Sequence, residues 1–251
     1  MDFKDKVVIV TGASGGIGRV LAQQFAEHGA RVVVHFHQNE ARAEETLASL
    51  QGESHLLLQA DLRQPEAADQ LTTAVVQKYG RVDVLVNNAG IYERHEVGID
   101  SSAWQSVWQR TVETNLMAPA YLTHRVAQEM IRQRAGKIVN ISSRGAFRGE
   151  PSAPAYAAAK AGLNAMSQSL AQALASFGVF VYVVAPGFVE TDMVRPILKG
   201  PEGEEIRRQS PLGRVARADE VARTVVFLAS EGTDFLTGCI VDVNGASYLR
   251  S

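Results

Sequence analysis

Tyr156 and Lys160 stand four residues apart, one turn along an alanine-rich helical stretch, and can act together on a proton. Reducing a carbonyl needs a proton donor at the oxygen as hydride arrives; oxidising an alcohol needs the same group as a base. Tyrosine, with a reference pKa of about 10, is a poor base near neutrality. A lysine on the same helix face presents its ammonium nearby and is expected to lower that pKa. Ser143, at the end of an isoleucine- and valine-rich run, can donate to the substrate oxygen and orient it. Asn115, placed inside a long helical segment where asparagine is disfavoured, can hold a water that replenishes the proton by way of the lysine. Each residue alone is ordinary, since Tyr-x-x-x-Lys recurs by chance and strand-end serines are common. Only the set carries weight.

A second constellation comes earlier in the chain. Thr11-Gly12-Ala13-Ser14-Gly15-Gly16-Ile17-Gly18 follows the first apolar run and opens a helix. Glycines there let the chain turn tightly and bring backbone N–H groups close to a pyrophosphate, to which the helix N-terminus adds its positive end. A strand before and a helix after favour a dinucleotide site over a turn kept only for packing. Asn87-Asn88-Ala89-Gly90 closes a later strand with small residues that let the backbone approach the same ligand.

These residues need a scaffold that brings strand ends together. The short apolar runs Lys6–Val10, Arg31–Phe36, His55–Gln59, Val82–Asn87, Gly136–Ser142, Val179–Ala185 and Cys239–Val243 read as seven strands buried on both faces. Between them Gly16–His28, Pro65–Tyr79, Ser102–Arg134, Ala155–Phe177 and Ala218–Ser230 read as helices. Alternation from end to end predicts one α/β domain over residues 1–251, with no linker. Residues 188–213, rich in proline and glycine, break the rhythm directly after a strand end and are expected to form a substrate lid.

Composition narrows the function classes. The chain has 251 residues, 46% hydrophobic and 21% charged, with a formal net charge of −2, so nucleic acid and anionic membrane surfaces are not expected partners. No apolar run approaches the roughly 20 residues of a membrane span, and the charged start Met1–Lys6 is unlike a signal peptide. A single cysteine, Cys239, gives neither a disulfide framework nor a cysteine metal cluster. His35 and His37 alternate along one strand and so face one way, but without a third ligand in view no metal site is expected. The expectation is a cytoplasmic protein.

The TGxxxGxG turn, NNAG, Asn115, Ser143, Tyr156 and Lys160 resemble the short-chain dehydrogenase/reductase family in order and spacing. The likeness runs from Lys6 to about Asn244 and takes in Pro186-Gly187 and Leu236-Thr237-Gly238…Asp242…Gly245. It implies a single-domain, Rossmann-type doubly wound seven-stranded parallel sheet with helices on both faces. It also implies an NAD(P)(H)-dependent oxidoreductase acting between nicotinamide and a carbonyl or secondary alcohol, with Asn115, Ser143, Tyr156 and Lys160 as the reacting set. The cofactor would lie against Gly12, Ser14, Gly15, Gly16, Ile17 and Gly18, with Asp61 and Leu62 at the adenine. Asn88, Ala89 and Gly90 would follow, then Tyr156 and Lys160, and beyond strand six Pro186, Gly187, Val189 and Thr191.

An NAD-selective site carries Asp or Glu at the end of strand two; the family's alignment puts Phe36 there. The arginines that often bind a 2′-phosphate are replaced by Gly15 and His37. The missing acid favours NADP(H), with His37, Gln38, Asn39 and Ser14 as polar contacts.

Strings such as Glu113-Thr114-Asn115-Leu116 and Ala185-Pro186-Gly187-Phe188-Val189-Glu190-Thr191-Asp192-Met193 resemble 3-oxoacyl-carrier-protein reductases. That implies a 3-oxoacyl thioester and an acidic acyl-carrier protein as partner, met by Arg132, Arg134 and Lys137 at the active-site mouth. Phe177 stands where those reductases commonly carry a second basic residue. Sugar, steroid and small-ketone reductases share the same strings and stay open, as does a catalytically silent dinucleotide sensor, which would be expected to lose the reacting set. The resemblance further implies a homotetramer built through the long helices, with Trp104 and Trp108 on that surface or in packing.

Overall fold

Successive valines and isoleucines send side chains to opposite faces of a strand, and here both faces are covered. The computed structural model describes residues 1–192 and 194–250. In β1 (Val7–Val10), Val8 and Val10 join one core cluster while Val7 and Ile9 join another on the other side. Each of the four is fully buried, worth roughly 1.5–3 kcal/mol relative to exposure.

The chain continues through α1 (Gly16–Glu27), β2 (Arg31–Phe36), α2 (Glu40–Ala48), β3 (Leu56–Gln59), α3 (Pro65–Tyr79) and β4 (Val84–Asn87). Then come α4 (Ser101–Val112), a π-helical turn at Glu113–Met117, α5 (Ala118–Gln133), β5 (Gly136–Ile141), α6 (Gly145–Arg148), α7 (Pro154–Leu174) and β6 (Val179–Pro186). After it follow β7 (Val189–Glu190), α8 (Arg195–Lys199), α9 (Gly203–Arg208), β8 (Ala216–Arg217), α10 (Ala218–Ala229) and β9 (Ile240–Val243). Seven strands form one sheet in the order β3-β2-β1-β4-β5-β6-β9, every neighbour parallel. The expected doubly wound α/β architecture is therefore present. Strand order reverses between β1 and β4, and in such sheets ligands bind in the crevice at that carboxyl edge.

Two parts differ from the sequence expectation. Helix α2 fills the β2–β3 connection, where none was expected; it is capped by the Asn39 side chain, which accepts from the Arg42 N–H at 3.3 Å. Residues 188–213 are not irregular: they hold β7, α8 and α9, and β7 pairs with β8 beyond the segment. Pro196 at the start of α8 and Gly203 at the start of α9 punctuate short helices there rather than a loop.

Candidate active site

The glycine turn leaves β1 and is shaped by close approach. A Cβ on Gly18 would lie 2.2 Å from the Gly12 carbonyl oxygen, and one on Gly12 would lie 2.9 Å from Ala89 Cα. Gly12 and Gly16 have φ of +64° and +55°, which side-chain-bearing residues rarely adopt. Thr11 ties this turn to the end of β4. Its Oγ1 accepts the N–H groups of Asn88 at 2.9 Å and Ala89 at 3.0 Å, while Asn88 Nδ2 donates to the Thr11 carbonyl at 2.8 Å. Helix α1 begins after Gly15 with no side-chain cap and no acidic residue in its first turn. Its first N–H groups and positive dipole end are thus left for an anion. A turn that only glycine can make, at an uncapped helix start, fits a dinucleotide pyrophosphate.

His35 and His37 are not a pair. His35 is buried; its Nδ1 accepts from Gly12 N–H at 3.2 Å and its Nε2 donates to the Ala60 carbonyl at 3.1 Å, so both nitrogens are spent. Burial pushes its pKa down to about 4, fixing the neutral ring as a strut beneath the glycine turn. His37 is partly exposed and lies 3.6 Å from Asp61. Hydrogen bonding from Arg63, at 2.6 Å, holds the Asp61 carboxyl at about 2. Phe36 is buried in the core, so the end of β2 offers no carboxylate to a ribose. Leu62 and Ile17 pack into the two cores, which leaves a ligand chiefly their backbone; Ser14 is half-buried in the turn itself.

Ser143 lies two residues beyond the end of β5, and Tyr156 and Lys160 rise from the first turns of α7, as their spacing requires. Lys160 is buried and its Nζ donates to the Ile141 carbonyl at 2.8 Å. A Cβ on Gly90 would lie 2.7 Å from Asn115 Oδ1 and 3.5 Å from Lys160 Nζ, so the NNAG end holds these side chains at one point. Tyr156 and Lys160 also stack loosely, the Nζ 5.8 Å from the ring centroid.

The expected depression of the tyrosine pKa is not what the structure gives. Burial raises Tyr156 to about 12, and the opposing hydrogen bond from Ser143 is the smaller effect. The same burial pushes Lys160 down to about 8. A phenol so placed stays protonated at neutral pH and can donate its proton; a lysine so placed changes charge close to neutrality.

Asn115 sits in the π turn, where the Ala118 N–H bonds the Glu113 carbonyl five residues back. Its amide clamps Ile91 from both sides, Nδ2 to the carbonyl at 2.9 Å and Oδ1 from the N–H at 3.0 Å. The side chain is therefore committed, and a water at this position would have to use the backbone that the π turn releases.

Further residues enter that sequence reasoning missed. Tyr92 packs edge-on against Tyr156 at 5.2 Å. His95 is buried, and its Nε2 accepts the Ala155 N–H at 3.2 Å, one residue before Tyr156. Trp104 and Trp108 stack on each other and against His95, at 5.2 and 6.4 Å, so they pack within the chain. Tyr92 and His95 carry no spacing signal, a His on an irregular stretch after NNAG being the hint, whereas the two tryptophans were expected on the tetramer surface or in packing.

Pro186 and Gly187 close β6 beside Asn244, with a Gly187 Cβ 3.1 Å from Asn244 Cα. Thr191 sits over the glycine turn, its Cγ2 3.4 Å from where a Gly16 Cβ would be. The Val189 side chain is core-buried, which leaves its backbone for a ligand. Met193 lies outside the described residues.

Arg132, Arg134 and Lys137 are not at this mouth within the chain. Lys137 is the second residue of β5, so Ser143 lies six residues on, about 20 Å away along the strand at about 3.3 Å per residue. Lys137 bonds Thr233 and Asp234, Arg132 pairs with Glu129, and Arg134 stacks on Phe177.

Residues 6–202 match the short chain dehydrogenase family. The chain is 38% identical to the 3-oxoacyl-[acyl-carrier-protein] reductase FabG of Escherichia coli (strain K12) over 250 residues, covering 99% of this chain and all of that protein. It is 35% identical over 247 residues to the protein of that name from Staphylococcus epidermidis, again spanning 98% of this chain and all of the relative. A solved structure titled ribose-5-phosphate isomerase from Brucella melitensis 16M matches with a TM-score of 0.91 and 30% identity, covering 98% of this chain and 93% of that one. Agreement in family over most of the chain, and in sequence along all of it, makes this protein a member of the short-chain dehydrogenase/reductase family, a nicotinamide-dependent oxidoreductase of CH–OH and C=O groups.

Proposed function

We propose that the protein is an NADP(H)-preferring reductase of 3-oxoacyl thioesters, with Ser143, Tyr156, Lys160 and Asn115 as its working residues. The observation that carries the reading is the convergence of Asn115, Tyr156 and Lys160 beside Gly90, where burial raises the pKa of the Tyr156 hydroxyl and keeps it a proton donor near neutrality. The bound nicotinamide supplies the hydride. Ser143 Oγ orients the carbonyl oxygen, and Tyr156 Oη gives that oxygen its proton. Lys160, whose pKa near 8 lets the ammonium part with a proton, restores the phenol. Gly12, Gly16 and Gly18 with the bare start of α1 would hold the pyrophosphate; Asn88, Ala89 and Gly90 with Pro186, Gly187, Val189 and Thr191 would line the rest of the groove.

The thioester is favoured by the names of the relatives matched along the whole chain. We read the chain as one domain with residues 188–213 as a lid. Exposed ion pairs such as Arg94–Glu202, at 2.9 Å, tether the segment and cost little to break. We also read it as a cytoplasmic homotetramer, since α7 turns Ala158, Ala165, Ser169 and Ala173 outward, small enough for close approach by a second helix. Acyl-carrier protein as partner then needs a basic contact other than Arg132, Arg134 and Lys137, which lie at the other end of β5.

A spectrophotometric comparison of β-ketoacyl thioesters with sugars, steroids and simple ketones, using NADPH and NADH, tests this. Fastest turnover of the thioesters with NADPH is expected. A sugar or steroid preferred by a factor of ten overturns the substrate, and absence of turnover with all four classes overturns the enzyme.

A further inference from the structure

Helix α2 places a guanidinium where the glycine turn has no side chain. Arg42 Cζ and Nη1 each lie 3.8 Å from the position a Gly15 Cβ would occupy, and among the described residues beyond its chain neighbours nothing else comes within 4 Å of that point. Gly15 is in the extended conformation, with φ of −178°, so its lack of a side chain is not demanded by the backbone. The space beside it is held by an arginine that arrives from 27 residues further along the sequence.

We infer that Arg42 is the residue that discriminates NADP(H) from NAD(H), by meeting the 2′-phosphate of the adenosine over Gly15. The inference rests on the dinucleotide reading of the turn and deepens the cofactor preference proposed above. In an open α/β sheet the ribose lies between the glycine turn and the end of the second strand, and a nearby arginine accommodates the 2′-phosphate. At that strand end Phe36 is buried and His37 is partly exposed, so no carboxylate on β2 claims the ribose hydroxyl or repels a phosphate. Arg42 is the cation brought up to the turn, and a guanidinium matches phosphate in a bidentate way.

Its present partner supports the assignment. Arg42 contacts the Asp192 carboxylate, which also bonds Arg195 at 2.9 Å. Arg42 and Asp192 are both close to half exposed, and an exposed pair of this kind contributes little stability. A phosphate dianion can therefore draw the guanidinium away at small cost. Asp192 follows Thr191, which overlies Gly16, so the arginine is already poised above the phosphate groove.

The test is calorimetric titration of adenosine 2′,5′-bisphosphate and 5′-AMP, which differ only in the 2′-phosphate. Wild type is expected to bind the bisphosphate more tightly. Arg42→Ala should weaken it about 10- to 30-fold, the scale of one partly exposed charge-assisted contact, while 5′-AMP changes less than about twofold. Gly15→Arg on the Arg42→Ala background should recover most of the loss, because that Cβ enters open space once Arg42 is gone. Asp192→Asn should leave the bisphosphate bound as tightly or tighter. Equal weakening of both ligands by Arg42→Ala, or no weakening of either, overturns the assignment. A wild type that binds 5′-AMP with no gain from the 2′-phosphate overturns it as well and leaves the dinucleotide site standing. A wild type that binds neither nucleotide, nor NADPH or NADH, overturns the dinucleotide reading itself.

Discussion

Thr11→Val removes one oxygen and almost no volume, and the structure sets what that oxygen is worth. Thr11 Oγ1 accepts two backbone donors, Asn88 N–H at 2.9 Å and Ala89 N–H at 3.0 Å, and itself donates to the Val86 carbonyl at 3.3 Å. Valine leaves both N–H groups facing a methyl. A donor stranded away from water costs about 1–3 kcal/mol; because these two are only partly buried, about 2 kcal/mol together is the reasoned loss. For a chain of this size about 2–4 °C of melting temperature follows each kcal/mol, so a fall of about 4–8 °C is expected. Thermal unfolding followed by circular dichroism measures it, with Thr11→Ser as the companion that keeps the hydroxyl. The same loss should loosen Ala89 against Gly12 and weaken NADPH binding, whereas Thr11→Ser should bind nearly as wild type. Melting of Thr11→Val within 1 °C of wild type, or equal destabilisation by both variants, would refute the clamp.

Three further outcomes follow from the site. Tyr156→Phe should abolish turnover while NADPH affinity by calorimetry stays within a few-fold; surviving turnover would sink the proton-donor role. Lys160→Met should abolish turnover yet raise the melting temperature near pH 6.5, because a buried ammonium with a pKa near 8 against an ordinary 10.5 is a cost to the fold. That cost is present below pH 8 and fades as pH rises from about 8 to 10.5, so the gain should shrink by pH 10 in paired melting curves. Gly18→Ala should prevent dinucleotide binding and lower soluble yield, since its Cβ would sit 2.2 Å from the Gly12 carbonyl oxygen; normal NADPH affinity in that variant would contradict the close approach.

How much of this was legible in the sequence depended on how local the physics was. Strands buried on both faces announce themselves as valine and isoleucine runs, and most lie within a residue or two of the expected bounds. Helix α2 did not announce itself: Ala41, Ala43, Leu47 and Ala48 make a faint apolar face, and most of the rest is charged. Missing that helix hid Arg42, which appears at the glycine turn only once α2 is folded against β2. The tyrosine pKa failed for a related reason. A neighbouring lysine can be read from spacing, whereas the burial that raises the tyrosine arises only in the folded surroundings, with Tyr92 packed edge-on against it. The placement of Arg132 and Lys137 was a different kind of miss. A strand from Gly136 to Ile141 already puts its first residues at the end opposite Ser143, so the sequence held that answer.

The working parts thus divide by the kind of constraint that places them. Gly12 and Gly18 are fixed because a Cβ there would come within 3 Å of neighbouring backbone, and Thr11 and Asn88 by hydrogen bonds to backbone under 3 Å, and such positions tolerate few residue types. Arg42, Asp192 and Asp61 act through exposed or half-exposed charge, which many positions on a surface helix or lid can supply. The cradle that accepts any nicotinamide dinucleotide is accordingly written in a fixed spacing, while the choice between two such cofactors is written wherever a guanidinium can reach. Moving that arginine from α2 to position 15 would change the sequence pattern completely and the chemistry at the phosphate hardly at all. Motif spacing should therefore predict the reaction of such a chain far better than it predicts the cofactor.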